Sequence, residues 1–326
     1  MYSFRALLTL FEQYQTFAIS THVNPDGDAI GSELALYLFL EKLGKTVKIY
    51  NTDLVPKKYQ FLPYWENIEN AKASTDFCPE VLVILDASSR ERIGPFLSRR
   101  LIPTHAVVNI DHHITAKEFG DYNLIVPTAS STAEIIYKFI KSTQIPIDEA
   151  SALCLYTGLM FDTGCFRYSN ATPETHRIAA DLIEIGDFAP DEIYRQVYEH
   201  VPLGKIHLLG QTLQTLEHTP DNKIAWVLVT QSMLNETQTT LDDVEGFVNQ
   251  IQAIENVEVA ICVCELPDGN TKVSLRSEGR VDVAALAAEF DGGGHERASG
   301  CRINLPCASA IKELVATAKR HIQEIC

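Results

Sequence analysis

Apolar residues in the first half of the chain fall into short unbroken runs, separated by longer stretches in which they recur every three or four positions. The runs predict strands and the recurrence predicts amphipathic helices; their alternation predicts an α/β domain with a mainly parallel sheet flanked by helices. Strands are expected at Phe17–Thr21, Val47–Tyr50, Val81–Leu85 and Ala106–Ile110. Helices are expected at Met1–Tyr14, Ala29–Leu43, Ser131–Lys141 and Ile147–Phe161, the last two opening on Ser/Thr residues and on Asp148 as caps. The runs at 81–85 and 106–110 have no polar alternation, which suits a sheet covered on both faces.

Beyond Pro173 the pattern turns helical through Glu174–Ile185, Asp191–Tyr198 and Leu203–Leu216, ending at the turn-forming Thr-Pro-Asp-Asn of 219–222. The remainder alternates again, with strands at Ala225–Thr230, Val257–Cys264 and Lys272–Arg276 and a helix at Leu241–Ala253. A glycine-rich turn at Gly292–Gly294, a short strand near Ser299–Ile303 and a closing helix at Ala308–Gln323 complete a smaller C-terminal α/β domain. The expected division is 1–187, a helical linker 188–220, and 221–326, in line with the one or two hundred residues that a domain usually holds.

Composition narrows the function classes. Apolar residues make up 46% and charged residues 21%, the range of a folded globular chain. The net charge of -16 repels long polyanions, so long duplex nucleic acid is excluded as the main partner. It does not exclude a small phosphate ester held by local cations, nor carboxylates gathered around metal ions. The longest apolar runs, such as Ala35–Leu40, fall far short of the ~18 residues of a membrane span. The N-terminus does not read as a secretory signal, so no membrane and a cytoplasmic location are expected. The eight cysteines lack zinc-type spacing, and most are expected as buried thiols. Cys262 and Cys264 share one strand face, where core packing is the expectation over a two-thiolate metal site.

The candidate chemistry gathers at element ends. His22, Asp26 and Asp28 lie in Thr-His-Val-Asn-Pro-Asp-Gly-Asp, between the first strand and the helix at Ala29, where ligand sites of open α/β sheets lie. An Asx turn with Asp28 as helix cap is the other reading of that stretch. Asp86 follows Val-Leu-Val-Ile-Leu, and Asp111-His112-His113 follows Ala-Val-Val-Asn-Ile. Adjacent histidines on extended backbone point apart, so one is expected to bind metal and the other to face elsewhere, for instance a substrate phosphate. Asp162 closes a helix, an unfavourable place for an acid that nothing else holds. Taken together, His22, Asp26, Asp28, Asp86, His112 and Asp162 are six oxygen or nitrogen donors without sulfur, suited to two Mn²⁺-like ions bridged by a shared carboxylate. In the second domain, Gly292–Gly294 with His295 offers a backbone nest for phosphate, or a plain reverse turn. Arg276 and Ser277, at a strand end, offer a phosphate clamp or an ordinary surface pair.

As a set these motifs resemble the DHH-family phosphoesterases, over nearly the whole chain and with no departure at the quoted positions. Within the family the likeness is to the two-domain type that hydrolyses short single-stranded oligoribonucleotides and removes the 3'-phosphate of 3'-phosphoadenosine 5'-phosphate (pAp). The resemblance implies two Mn²⁺ ions, with Co²⁺ or Mg²⁺ as substitutes, and an active site in the cleft between the domains. It implies that His22, Asp26 and Asp86 hold the first ion, and Asp28, Asp86, His112 and Asp162 the second. His113 would contact the scissile phosphate and Asp111 would orient the histidine pair. His295 and Arg276, with Ser277, Gly293 and Gly294, would fix the rest of the substrate. A cleft closed on both sides implies RNAs of about two to five nucleotides. Competing readings are a linear or cyclic dinucleotide phosphodiesterase, a manganese inorganic pyrophosphatase, for which Ser-Leu-Arg-Ser-Glu-Gly is poor in cations, and a non-catalytic nucleotide sensor. A homodimer is an expectation that the sequence leaves open.

Overall fold

Short apolar strands that must be buried on both faces pair best with one another, and they do so here in one sheet. The computed structural model describes residues 3–71, 77–199 and 201–325. It divides into two units, Met1–His200 and Val201–Cys326. In the first, β1 (Thr16–Ser20), β2 (Thr46–Asn51), β3 (Ile68–Asn70), β4 (Val81–Leu85), β5 (Ala106–Asp111) and β6 (Tyr122–Ile125) form a sheet of order β3-β2-β1-β4-β5-β6. Every neighbouring pair is parallel. All residues of β4 and β5 are buried, as their uninterrupted apolar runs predict. The edge strands β3 and β6 are short and partly polar, and the hydrophobic pattern does not reveal them.

The helices of this unit are α1 (Phe4–Gln13), α2 (Gly27–Lys42), α3 (Leu97–Arg100), α4 (Thr132–Ser142), α5 (Glu149–Asp162), α6 (Pro173–Gly186) and α7 (Pro190–Tyr194), which runs on as a wider turn over Arg195–Glu199. Met1 and Tyr2, included in the first expected helix, lie outside the described residues; that helix begins after Ser3, whose Oγ accepts from Ala6 N. α2 starts two residues earlier than the apolar pattern indicates because Asp26, not Asp28, caps it. One face of the sheet is covered by α1, α2, α4 and α5 around Phe11, Phe17, Phe39 and Phe139, and the opposite face by a smaller cluster including Ala18, Leu82 and Ile84. α2 and α5 approach closely at glycines. A Cβ on Gly27 would lie 2.8 Å from Phe161 Cβ, and one on Gly158 would lie 2.8 Å from Ala133 Cβ and 2.9 Å from Asp28 Oδ1.

The second unit holds α8 (Leu203–Leu213), β7 (Glu217–His218), β8 (Ile224–Val229), α9 (Gln231–Thr237), α10 (Phe247–Gln252), β9 (Val259–Glu265), β10 (Thr271–Ser277), α11 (Val283–Ala288), β11 (Gly293–His295), β12 (Ala298–Ile303) and α12 (Cys307–Ile325). Its sheet, ordered β11-β12-β10-β9-β8-β7, is antiparallel except for β8 and β9. Alternation on β9 sends Val259, Ile261 and Val263 to one apolar layer and Ala260, Cys262 and Cys264 to the other. The two thiols are therefore core residues, as expected, and Cys326 lies outside the described residues. The helix expected over 241–253 is two elements, because Gly246 takes φ +90° between a 3₁₀ turn at Leu241–Val244 and α10. The turn expected at Gly292–Gly294 is largely an edge strand: residues 293–295 pair with 298–300.

Candidate metal centre

The order β3-β2-β1-β4-β5-β6 reverses direction between β1 and β4, and the carboxyl ends of strands at such a switch point leave a crevice that side chains from both loops can enter. His22 lies two residues past β1, Asp86 directly past β4, and Asp111 to His113 at the end of β5. Asp86 continues the ladder through its N–H to Ile110 O (3.0 Å), then takes φ +56°, a left-handed conformation that aspartate tolerates better than most side chains. Asn24 and Ser88 in the adjoining loops adopt the same conformation.

These turns bring the expected donors together. His22 Nε2 lies 3.7 Å from Asp26 Oδ2 and 3.6 Å from Asp86 Oδ2. Its Nδ1 meets Val23 O at 2.8 Å, so Nδ1 carries a proton and Nε2 is the ring atom that faces the carboxylates. His112 Nε2 lies 2.9 Å from Asp162 Oδ2, 3.6 Å from Asp86 Oδ1 and 4.0 Å from Asp28 Oδ2. Three sets, His22/Asp26/Asp86, Asp28/His112/Asp162 and Asp86/His112/His113, each offer ligand atoms within 4.8 Å of one another. Asp86 belongs to two of them. Nitrogen and carboxylate oxygen donors at this density fit divalent cations such as Mn²⁺.

The structure adds supports that the motifs do not announce. Thr132 and Ala133, at the start of α4, donate their N–H groups to Asp28 Oδ2 (2.6 Å) and Oδ1 (2.8 Å). Thr132 Oγ1 also donates to Asp86 Oδ1 at 3.0 Å. A helix N-terminus is a natural partner for a carboxylate, yet only the fold places α4 beside α2; the Ser/Thr-rich start of α4 is the one hint in the sequence. Asp26 spends Oδ1 on capping α2, accepting from Asp28 N and Ala29 N, and keeps Oδ2 toward His22. Asn170 donates to Asp162 O and Ser130 O, tying the segment after Asp162 to the start of α4.

The electrostatics follow from this crowding. Burial, then the charges of Asp86 and Asp162, push the Asp28 carboxyl well above its ordinary range. Asp162 is pushed up by burial against the opposing hydrogen bond from His112. Burial opposes charge on His22 and His112, but their carboxylate partners outweigh it and raise both imidazoles. Burial likewise opposes charge on Asp26, and the pairing with His22 overcomes it, lowering that carboxyl to about 2. A site that must take up protons to ease the repulsion among its carboxylates is one in which cations are favoured.

His113 has a different setting. Its backbone N–H (2.8 Å) and Nδ1 (2.7 Å) both meet Asp111 Oδ1, while Asp111 Oδ2 accepts from Ser88 N at 2.6 Å. Burial works against charge on this ring, but Asp111 and Asp86 raise its pKa. The two histidine rings lie 4.7 Å apart and tilted by 57°.

The second unit places its expected residues on two strands of one sheet, the edge strand β11 and the interior strand β10. Gly293, Gly294 and His295 are exposed on β11, and Arg276 is half-buried on β10, with Nε donating to Asn249 Oδ1 and Nη1 to Leu275 O. An edge strand turns every second N–H outward from its sheet, so the backbone groups offered here lie along a strand. Ser277 is buried, and its hydroxyl donates to Val281 O (2.7 Å), holding the turn that follows.

Comparison with known proteins agrees in both halves. Residues 16–159 match the DHH family, N-terminal domain, and residues 222–324 match the DHHA1 domain. The chain is 33% identical over 290 residues to the bifunctional oligoribonuclease and PAP phosphatase NrnA of Thermus thermophilus, covering 87% of this chain and 83% of that protein. It is 27% identical to the Bacillus subtilis protein of the same name, covering 91% and 92%. A crystal structure of an exopolyphosphatase-related protein from Bacteroides fragilis superposes with a TM-score of 0.92 at 29% identity, covering 99% and 97%.

Proposed function

This chain belongs to the DHH family of phosphoesterases, and on that premise we propose that it hydrolyses short single-stranded oligoribonucleotides to mononucleotides and converts pAp to AMP, with two Mn²⁺ ions as cofactors. The observation that carries the metal part is Asp86, whose two oxygens face different donor groups, Oδ2 toward His22 and Oδ1 toward His112. His22, Asp26 and Asp86 would hold one ion, and Asp28, Asp86, His112 and Asp162 the other. When bound, such ions acidify a water and offset charge on the phosphoryl oxygens.

The chain's own residues do the rest. Asp111 holds His113 through two hydrogen bonds and favours its protonated form, so the ring can meet a phosphate oxygen as a cation in a fixed orientation. Thr132 occupies one lone pair of Asp86 and keeps that carboxylate from rotating. Arg276, His295 and the backbone of Gly293 and Gly294 would bind the substrate's remaining phosphate or base. Among the described residues no helix is long and apolar enough to cross a membrane, and the cytoplasm is the proposed location.

The test is a substrate series on protein stripped of metal and resupplied with Mn²⁺: pAp, labelled RNAs of increasing length, and pyrophosphate. Cleavage of pAp and of the shortest RNAs, fading with length, is the expected result. Turnover of pyrophosphate alone would overturn the reading.

A further inference from the structure

Behind the metal centre lies a carboxyl group that the chemistry above does not use. Glu33 is the one charged residue between Ala29 and Leu40 on α2, and it is fully buried. Burial, opposed by its hydrogen bond from Asn51, pushes its pKa up to about 8. It is accordingly a neutral acid over most of the physiological range. Its Oε1 has no hydrogen-bond partner among the described residues, while Oε2 accepts from Asn51 Nδ2 at 2.8 Å. A leucine would fill this place in an apolar helix without the desolvation of a carboxyl, so core stability alone does not account for the residue.

Asn51, at the end of β2, turns its other amide atom to the metal loop: Oδ1 accepts from Thr21 N at 3.3 Å. An amide side chain can present oxygen or NH₂ to a neighbour, and only oxygen suits an N–H. The Thr21 N–H thus sets the oxygen of Asn51 inward, and Glu33 Oε2 accepts from the Nδ2 that this orientation leaves over, holding the amide in place. Thr21 Oγ1 in turn donates to Leu85 O (2.8 Å), so the same residue joins the backbone before His22 to the backbone before Asp86.

We propose that Glu33 is a positioning residue of the metal centre, which through Asn51 and Thr21 sets the half built from His22, Asp26 and Asp86. The inference rests on the metal-dependent reading above. Glutamine keeps a neutral side chain of the same length whose carbonyl oxygen can accept from Asn51 Nδ2, whereas leucine leaves that buried NH₂ without its acceptor.

The experiment titrates full-length, chelator-stripped protein with Mn²⁺, following free ion by its paramagnetic signal and bound ion by metal analysis after dialysis. Wild type is expected to take up two ions. Glu33→Leu is expected to weaken one of the two about tenfold while leaving the other within about twofold, the low end for supports outside the ligands because Glu33 reaches the metal loop only through Asn51 and Thr21. Glu33→Gln should restore the wild-type curve, which a role in packing volume alone would not require. Asn51→Leu, which leaves Glu33 in place, should reproduce the selective loss and provides the same reading if Glu33→Leu does not fold. Binding of both ions unchanged in Glu33→Leu or Asn51→Leu overturns the proposal, as does equal weakening of both ions with no rescue by glutamine. Failure of wild type to bind Mn²⁺ would instead remove the metal reading itself, and this inference with it.

Discussion

The two units carry their candidate chemistry in opposite ways. In the first, donors arrive from the ends of β1, β4, β5 and α5 and from the start of α2, and most are buried and bonded to one another. In the second, Gly293, Gly294 and His295 belong to a single exposed edge strand and Arg276 to another strand of the same sheet. A centre assembled from five elements fails if any one of them shifts, whereas an exposed edge can lose a side chain without disturbing its neighbours. Substitutions in the first unit should therefore abolish chemistry or metal binding, and those in the second should weaken substrate capture.

The sharpest break of that contrast is Asp86→Ala. Because Asp86 faces both His22 and His112, its loss should cost both ions and lower turnover by on the order of a thousandfold or more. Metal analysis beside a Mn²⁺-dependent rate assay checks this. A variant that keeps two ions and its full rate would mean the halves of the centre do not share this carboxylate.

Packing gives the next effect. A Cβ at Gly158 would strike both Ala133 Cβ and Asp28 Oδ1, so Gly158→Ala should destabilise the protein by about 1–3 kcal/mol and weaken metal uptake together. Gly210 on α8 has open space around it, and Gly210→Ala should raise stability by about 0.5–1 kcal/mol from helix propensity alone. Thermal unfolding of both variants separates a glycine demanded by the site from one that is not.

Proton linkage separates the units further, since the raised groups of the metal centre lie in the first. In metal-free protein His22, His112 and His113 sit above the ordinary histidine value of 6.5, and Asp28 and Glu33 above the ordinary carboxyl range. Each binds its proton more tightly folded than unfolded, so its contribution is full below the unfolded pKa and is lost as pH rises through the folded one. Asp26, lowered to about 2, has the opposite sign, but its contribution disappears only in strong acid. The melting temperature of stripped protein should thus fall between about pH 5 and pH 8. Added Mn²⁺, which competes with those protons, should stabilise most at the alkaline end.

How far these features can be read from the chain differs by the same division. The runs at 81–85 and 106–110 disclose their strands because central parallel strands carry no polar alternation, and the acids and histidines that follow them disclose the centre. Thr132 stays hidden because its contacts to Asp28 and Asp86 span 104 and 46 residues, and no local pattern reports a helix start brought beside another helix. Ile68–Asn70 and Val283–Ala288 are too short for periodicity to register. Gly292–Gly294 misleads in the other direction: a glycine cluster predicts a reverse turn, but here Gly292 and Gly294 are small because the edge strand lies against β12. A Cβ on Gly294 would come 2.6 Å from Ala298 O and 2.7 Å from Ser299 Cα.

Gly293 breaks that explanation, and so gives the smallest and most selective test. Nothing lies within 4 Å of a Cβ built on it, and its backbone is not in the left-handed region, so the fold makes no demand for glycine there. If the residue is small because a phosphate approaches the strand, Gly293→Ala should leave stability within about 0.5 kcal/mol of wild type. It should still raise KM about fivefold, because a methyl group lengthens the hydrogen bonds that the backbone makes to the ligand. His295→Ala next to it, losing a whole polar side chain, should raise KM by about tenfold or more with both ions retained. Gly294→Ala serves as the contrast, since it should lose stability through its clash with β12. A Gly293→Ala protein with unchanged KM would move the substrate contact off the strand backbone and onto the side chains of His295 and Arg276.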